Sequence, residues 1–148
     1  MFKKVFILMT GLILLIFLSS CSNSDKQDFY GTYTFEKVSY LSPLSSSTID
    51  YMNERMAGSK YTIEADLFKI EYTDKTVEIN SPNYVKEEIQ NDLSPLDDVK
   101  YQYTIYSKDG DKTNWRLYAS SASMYIASYV DNTADGSEII MSVFKLSK

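Results

Sequence analysis

One thiol, 20 carboxylates and no imidazole define the chemistry open to this 148-residue chain. Cys21 is the only cysteine. A single thiol can act as a nucleophile, but it closes no disulfide within the chain and builds no thiolate metal centre. The lack of histidine removes the usual general base, every Ser-His-Asp or Cys-His arrangement and the commonest zinc ligand. Carboxylate chemistry survives, because two converging Asp or Glu residues could hydrolyse a glycoside and oxygen ligands could hold calcium. The acidic clusters are Glu87-Glu88, Asp97-Asp98 and Asp109-Gly110-Asp111. The last begins like a calcium loop, yet Lys112-Thr113-Asn114 does not continue one, and a solvated hairpin turn is expected instead. Glu87-Glu88 reads as an exposed charge pair. The glycines are too scattered for a phosphate loop, and the serines have no partner base. No catalytic residue, metal ligand or cofactor is assigned, and the chain is not read as an enzyme.

The surroundings of Cys21 suggest what its thiol is for. Lys3-Lys4 give a positive start, and an apolar run from Val5 to Leu18 follows, interrupted only by Thr10 and Gly11. That run is 14 residues long. It suits the apolar part of a signal peptide and falls short of the ~20 residues that cross a bilayer. It ends in Leu18-Ser19-Ser20-Cys21. An ordinary secretory signal does not need a cysteine at that point. The segment resembles a bacterial lipoprotein signal peptide, whose lipobox is an aliphatic residue, two small residues and the cysteine that is acylated. The resemblance implies that residues 1–20 are removed and that the Cys21 thiol takes a diacylglyceryl group. The mature chain would then be held on the extracytoplasmic face of a bacterial cell membrane.

Residues 21–148 keep 13 basic and 20 acidic side chains, a net charge of −7. An acidic surface argues against nucleic acid and against adsorption to anionic head groups, so the membrane contact is expected through the lipid on Cys21. The length suits one domain with a real core, expected to be a monomer. Residues 21–28 read as the lipidated cysteine and a polar tether, and order is expected from Phe29 or Tyr30.

The domain, 29–148, must then position whatever it binds. Its 13 tyrosines favour strands that are buried on one side and wet at the hydroxyl. Tyr30 to Tyr40 reads as a strand with Tyr33 and Phe35 on one face and Thr34, Glu36, Val38 and Tyr40 on the other. Ser45 to Met56 reads as a helix, with Ser47 and Asp50 at capping-box spacing and Ile49, Met52 and Met56 on one stripe. Short strands are expected at Lys60–Glu64, Leu67–Tyr72 and Thr76–Asn80. Tyr84–Ile89 allows strand or helix, and Asn91–Asp98 reads as a loop. A meander follows: Val99–Ser107, Thr113–Ala119, Met124–Val130 and Glu138–Leu146, with a hairpin at Lys108–Asp111. One helix cannot cover about eight strands, so closure into a barrel is expected.

This order is similar to the lipocalin-like β-barrels. Gly31-Thr32-Tyr33 sits where lipocalins carry Gly-x-Trp, with tyrosine in place of tryptophan. Gly58-Ser59-Lys60-Tyr61 and Ser81-Pro82-Asn83-Tyr84 are similar to steps in small lipocalin-like lipoproteins of low-GC bacteria. The Thr-Asp-Tyr signature and the late arginine of lipocalins are missing, and the helix lies early rather than late. The resulting expectation is a mainly β fold, an antiparallel eight-stranded meander closed as a lipocalin-like barrel with one short helix after the first strand. The aromatic faces would line its interior through Tyr33, Phe35, Tyr101, Tyr103, Trp115, Tyr125 and Tyr129 and hold a small apolar or amphipathic ligand. Such barrels can also be filled by their own side chains. The chain would then act through an envelope protein partner, as an inhibitor, immunity or assembly factor. Arg116 is expected on the exposed face, paired with an acidic neighbour.

Overall fold

The computed structural model describes residues 27–89, 96, 99, 101–120, 122–132 and 134–148. The leader, Cys21, most of the tether and Asp97-Asp98 lie outside the described residues. The strands are β1 (Gly31–Leu41), β2 (Lys60–Ile63), β3 (Leu67–Glu71), β4 (Thr76–Asn80), β5 (Asn83–Glu88), β6 (Tyr101–Tyr106), β7 (Lys112–Ala119), β8 (Met124–Asp131) and β9 (Glu138–Ser147). One helix, α1 (Ile49–Met56), follows β1. The ambiguous segment after Pro82 is therefore a strand, and the fold is mainly β with nine strands rather than eight. Among the described residues no helix is long and apolar enough to cross a membrane.

Local chemistry explains the boundaries. The turn after β6 places Gly110 at φ +88°, which glycine adopts without strain. It closes with Gly110 N–H donating to Ser107 O at 3.0 Å, so this acidic segment is the expected hairpin. The cap of α1 is Thr48 rather than Ser47: its hydroxyl accepts from Tyr51 N–H at 3.2 Å. Starting there, the helix buries Met56 and packs Met52 against the core but leaves Ile49 and Tyr51 exposed, so two of the three residues of the expected apolar stripe pack.

All strand pairs are antiparallel, and the ladder runs β4-β3-β2-β1-β9-β8-β7-β6-β5. Its two terminal strands, β4 and β5, are separated in sequence by Ser81 and Pro82 alone. Laid flat, eight inter-strand steps would hold them ~38 Å apart. A two-residue link reaches only ~10 Å, so the sheet curls until its edges meet at that corner. It does not close. No β4–β5 ladder forms among the described residues, which corrects the expected closed barrel. The reason lies in the link. Ser81 sits at φ +51° with its N–H donating to Asp66 O at 2.7 Å, and Pro82 has no N–H to give. The chain turns a corner there instead of making a hairpin.

The concave face carries the main core. Phe29, Tyr33, Val38, Met56, Tyr61, Ile63, Phe68, Ile70, Ile105, Leu117, Met124, Ile126, Phe144 and Leu146 form one apolar cluster. Val38 belongs to it although simple alternation puts it opposite Tyr33. Irregularities in the β1–β9 register at Phe35/Lys37 and Val38/Tyr40 each insert an extra residue and switch the face. The convex face has a smaller cluster of Val99, Tyr118, Ala127 and Val143, with Tyr40, Ile89, Leu96, Tyr125, Tyr129 and Ile140 against it. Residues of the β5–β6 connection thus cover the outside of the sheet.

Candidate functional site

A cavity of about 690 Å³ opens where the chain enters the sheet. Its walls come from Gln27–Phe29, from Tyr33 of β1 and Tyr103 of β6, from the β7–β8 turn with Met124, and from Lys145–Lys148 at the end of β9. Tyr33 fixes this end, because its hydroxyl donates to Phe29 O at 2.7 Å. That bond draws the incoming segment across the mouth and seats the Phe29 ring in an aromatic group. Its centroid lies 4.5 Å from Tyr103, 5.0 Å from Tyr30 and 5.4 Å from Tyr84. Tyr84 in turn donates from its hydroxyl to Glu64 O at 3.1 Å, and burial pushes its phenol well above the ordinary tyrosine value. Phe29, Tyr33 and Tyr103 give the cavity an aromatic floor.

The rim is charged. Lys145 pairs with Glu36 at 2.9 Å. Lys148 stands with its ammonium 5.3 Å from the Tyr33 ring centroid. A Cβ on Gly31, at φ +152°, would come within 3.3 Å of the Lys148 Cε, so glycine there leaves room for the lysine stem. The combination of an aromatic floor and a charged rim, with Asp28 and Glu36 beside Lys145 and Lys148, suits an amphipathic molecule.

The expected lining residues separate. Tyr33 and Tyr103 meet at this mouth. Phe35 and Trp115 also pack on the concave cluster, Phe35 edge-on against Phe144 at 5.6 Å and Trp115 toward the other end of the strands. Tyr125 and Tyr129 pack on the convex cluster instead. Tyr101 is 40 % exposed beneath the Lys86 ammonium, 3.9 Å from its ring centroid. Alternation places Tyr125 and Tyr129 on one face of β8 but does not say which face is concave.

A buried polar network on the convex face escaped the sequence. Arg116, expected in solvent, is 1 % exposed. Its acidic partner is real: Nη2 donates to Glu138 Oε1 at 2.5 Å, while Nη1 donates to the carbonyls of Thr113 and Trp115 at 2.6 and 2.8 Å. Lys112 reaches the other oxygen of Glu138 at 2.7 Å. The guanidinium lies 5.0 Å over Tyr129, whose hydroxyl bonds to that of Tyr118. Beside them Thr104 and Gln102 donate to Glu87 at 2.7 and 3.0 Å. Glu87 is therefore a paired residue and not a free surface charge. The network satisfies its own donors and acceptors, as a structural unit would. Among the described residues no group of three or more His, Cys, Asp or Glu could hold a metal ion.

Two buried hydroxyls, those of Ser59 and Tyr61, are unsatisfied among the described residues. Tyr61 is fully buried, its hydroxyl has no partner among the described residues, and burial raises its phenol far above the ordinary value. Comparison of the chain with protein-family models, curated proteins and solved structures gives no match.

Proposed function

We propose that this chain is a membrane-anchored extracytoplasmic lipoprotein, held by acyl chains on Cys21, that binds a small amphipathic ligand in the manner of the lipocalin-like barrels it resembles. The cavity at the entry mouth carries this reading. Its volume of about 690 Å³ lies within the ~300–1,000 Å³ typical of small-molecule sites. Phe29, Tyr33, Tyr103, Met124 and Leu146 offer apolar contact there, and Lys148 offers a charge at the rim. The lipobox supports the location, and the cavity borders the segment that leads back toward Cys21.

Two measurements test it. Native mass spectrometry after soaking the purified chain in a mixed lipid extract should retain a discrete amphiphile; retention of none would reject the ligand. Cys21→Ser should leave the protein unacylated and released from membranes, with the β circular-dichroism spectrum of the domain unchanged. A membrane-bound, acylated C21S protein would reject the anchor.

A second reading is an envelope lipoprotein that works through protein contacts. It is favoured by the packing of the concave core, where Ile63, Phe68, Ile70, Ile105, Leu117 and Ile126 have no exposed surface. Leu44, Ile49 and Tyr51 are exposed around α1 and would supply apolar contact. Crosslinking from intact membranes should then capture a stable partner, and a chain recovered uncrosslinked would count against it.

A further inference from the structure

A second pocket lies on the concave side of the sheet, under α1. It is lined by Trp115 of β7, Ser128 of β8, Ser142 and Phe144 of β9, Tyr72 just past β3, Asp74 and Lys75 of the following turn, and α1. The entry mouth is lined further along the same strands, at Ala119 of β7, Met124 of β8 and Lys145–Lys148 of β9, so the two pockets share no lining residue, although Phe144 and Lys145 are neighbours in β9. Helix α1 closes the pocket with Met52, Arg55 and Met56. Asn53 holds the helix in place by accepting from Val38 N–H at 2.8 Å, a donor on the irregular stretch of β1.

The pocket is small, about 180 Å³. An apolar cavity of ~150 Å³ takes one benzene ring, so this one has room for a single ring and a polar group. Trp115, Phe144, Met52 and Met56 provide the apolar walls. The polar side is distinctive in an acidic chain. Arg55, Lys75 and Asp74 are the charged lining residues, a local net of +1 against −5 for the whole sequence. Neither cation has a carboxylate within ion-pair distance among the described residues, although Asp74 shares the lining. By contrast Lys69, Lys112, Lys145 and Arg116 are all paired. The Lys75 ammonium lies 5.2 Å from the Tyr72 ring centroid, and Arg55 is close enough for its charge to act on that phenol. Burial still pushes Tyr72 up to about 12, so its hydroxyl remains a donor at neutral pH. On the wall, Ser128 and Ser142 hydroxyls lie 2.7 Å apart. One donates to the other, which leaves the second hydroxyl hydrogen free for a further acceptor.

We propose that this pocket is a second binding site, specific for a small monocarboxylate whose apolar body is about one aromatic ring. The ring lies against Trp115 and Phe144 beneath α1. The carboxylate takes charge-assisted hydrogen bonds from Arg55 and Lys75, and a serine hydroxyl satisfies its remaining lone pair. Two exposed cations at the rim and one ring-sized apolar slot behind them select the acid over its neutral analogue.

Trp115 is the only tryptophan, so its emission reports this pocket alone. Benzoate titrated into the full chain in detergent micelles should give a saturable change in Trp115 emission. Benzyl alcohol, of similar body and no charge, should bind about tenfold or more weakly. Arg55→Gln with Lys75→Gln should weaken benzoate by the same factor and leave the circular-dichroism spectrum unchanged, since both side chains are exposed. Lys148→Gln, at the entry mouth, should leave it unaffected. No saturable response to millimolar benzoate overturns the proposal. So does an equal response to benzyl alcohol, or an R55Q/K75Q chain that binds as the parent does.

Discussion

The two faces of β7 and β8 are both largely buried and do different work. Trp115, Leu117 and Ile126 on the concave side join the continuous apolar cluster. One residue away, Arg116, Tyr118 and Tyr129 are as well buried or nearly so, but in a hydrogen-bonded network under the β5–β6 connection. The concave face is held by volume, and the convex face by satisfied polar groups. Tyrosine serves either side, because its ring packs like phenylalanine and its hydroxyl bonds like serine. A tyrosine-rich strand can therefore be wrapped with either face inward at little cost, and the rest of the sheet decides.

Removing volume should do the most damage on the concave face. Phe68 has no exposed surface, and Phe68→Ala should lower stability by about 4 kcal/mol, read from urea unfolding. The comparison is sharpened by Arg116→Ala, which removes the buried guanidinium of the convex network together with its stem. It strips a partner from Glu138 and leaves the carbonyls of Thr113 and Trp115 without their donor. A loss of about 3 kcal/mol is expected, since breaking a buried pair strands the remaining polar groups. Arg116→Met, which keeps the packing over Tyr129, should recover part of it. An R116A chain as stable as the parent would show that the convex network is ornamental.

The alternation of β6 to β9, the Asp109-Gly110 hairpin and the early helix were legible because each is written in local chemistry. Three features were not. The switches in β1 move Val38 inward without any glycine or proline to mark them, so the pattern looks like clean alternation. The open seam depends on where Ser81 donates, which is Asp66 O on the β2–β3 connection, a long-range fact. Arg116 reads as exposed in the sequence because it opposes Trp115, and alternation assumes one face meets water. Here the β5–β6 connection and Glu138 cover that face. The same assumption scattered the expected binding set: Tyr33 and Tyr103 share a mouth, whereas Tyr125 and Tyr129 sit behind the sheet.

Alkaline pH should weaken both faces together. Burial raises the phenols of Tyr61, Tyr72 and Tyr84 on the concave side and of Tyr118 and Tyr129 on the convex side, Tyr72 to about 12. In the unfolded chain these groups ionise near pH ~10. Below that value both states keep their protons and stability is flat. Above it the unfolded chain loses protons that the folded chain retains, so stability falls as the pH climbs toward and past 12. Urea midpoints that decline above pH 10, with a late absorbance rise at 295 nm on unfolding, are the expected result. A flat profile would mean that the buried hydroxyls are reached by water.

The finest test takes one oxygen from the convex face. Tyr129→Phe leaves the ring under the Arg116 guanidinium and removes only the hydroxyl that bonds to Tyr118. Tyr118 is then buried with its partner gone, and a loss of about 1 kcal/mol is expected. Tyr118→Phe should cost a similar amount for the mirror reason. The double variant strands neither hydroxyl, so its loss should fall short of the sum by about 1 kcal/mol, the coupling of the pair. Tyr33→Phe is the concave counterpart. There the orphan is the Phe29 carbonyl at the open mouth, which solvent can reach as the segment lifts, so the same deletion should loosen Gln27–Tyr30 more than it lowers global stability. Hydrogen exchange separates the two outcomes. Faster exchange confined to the N-terminal segment in Y33F, against a uniform change across β7 and β8 in Y129F, would show that one tyrosine bond holds a mouth and the other holds a wall.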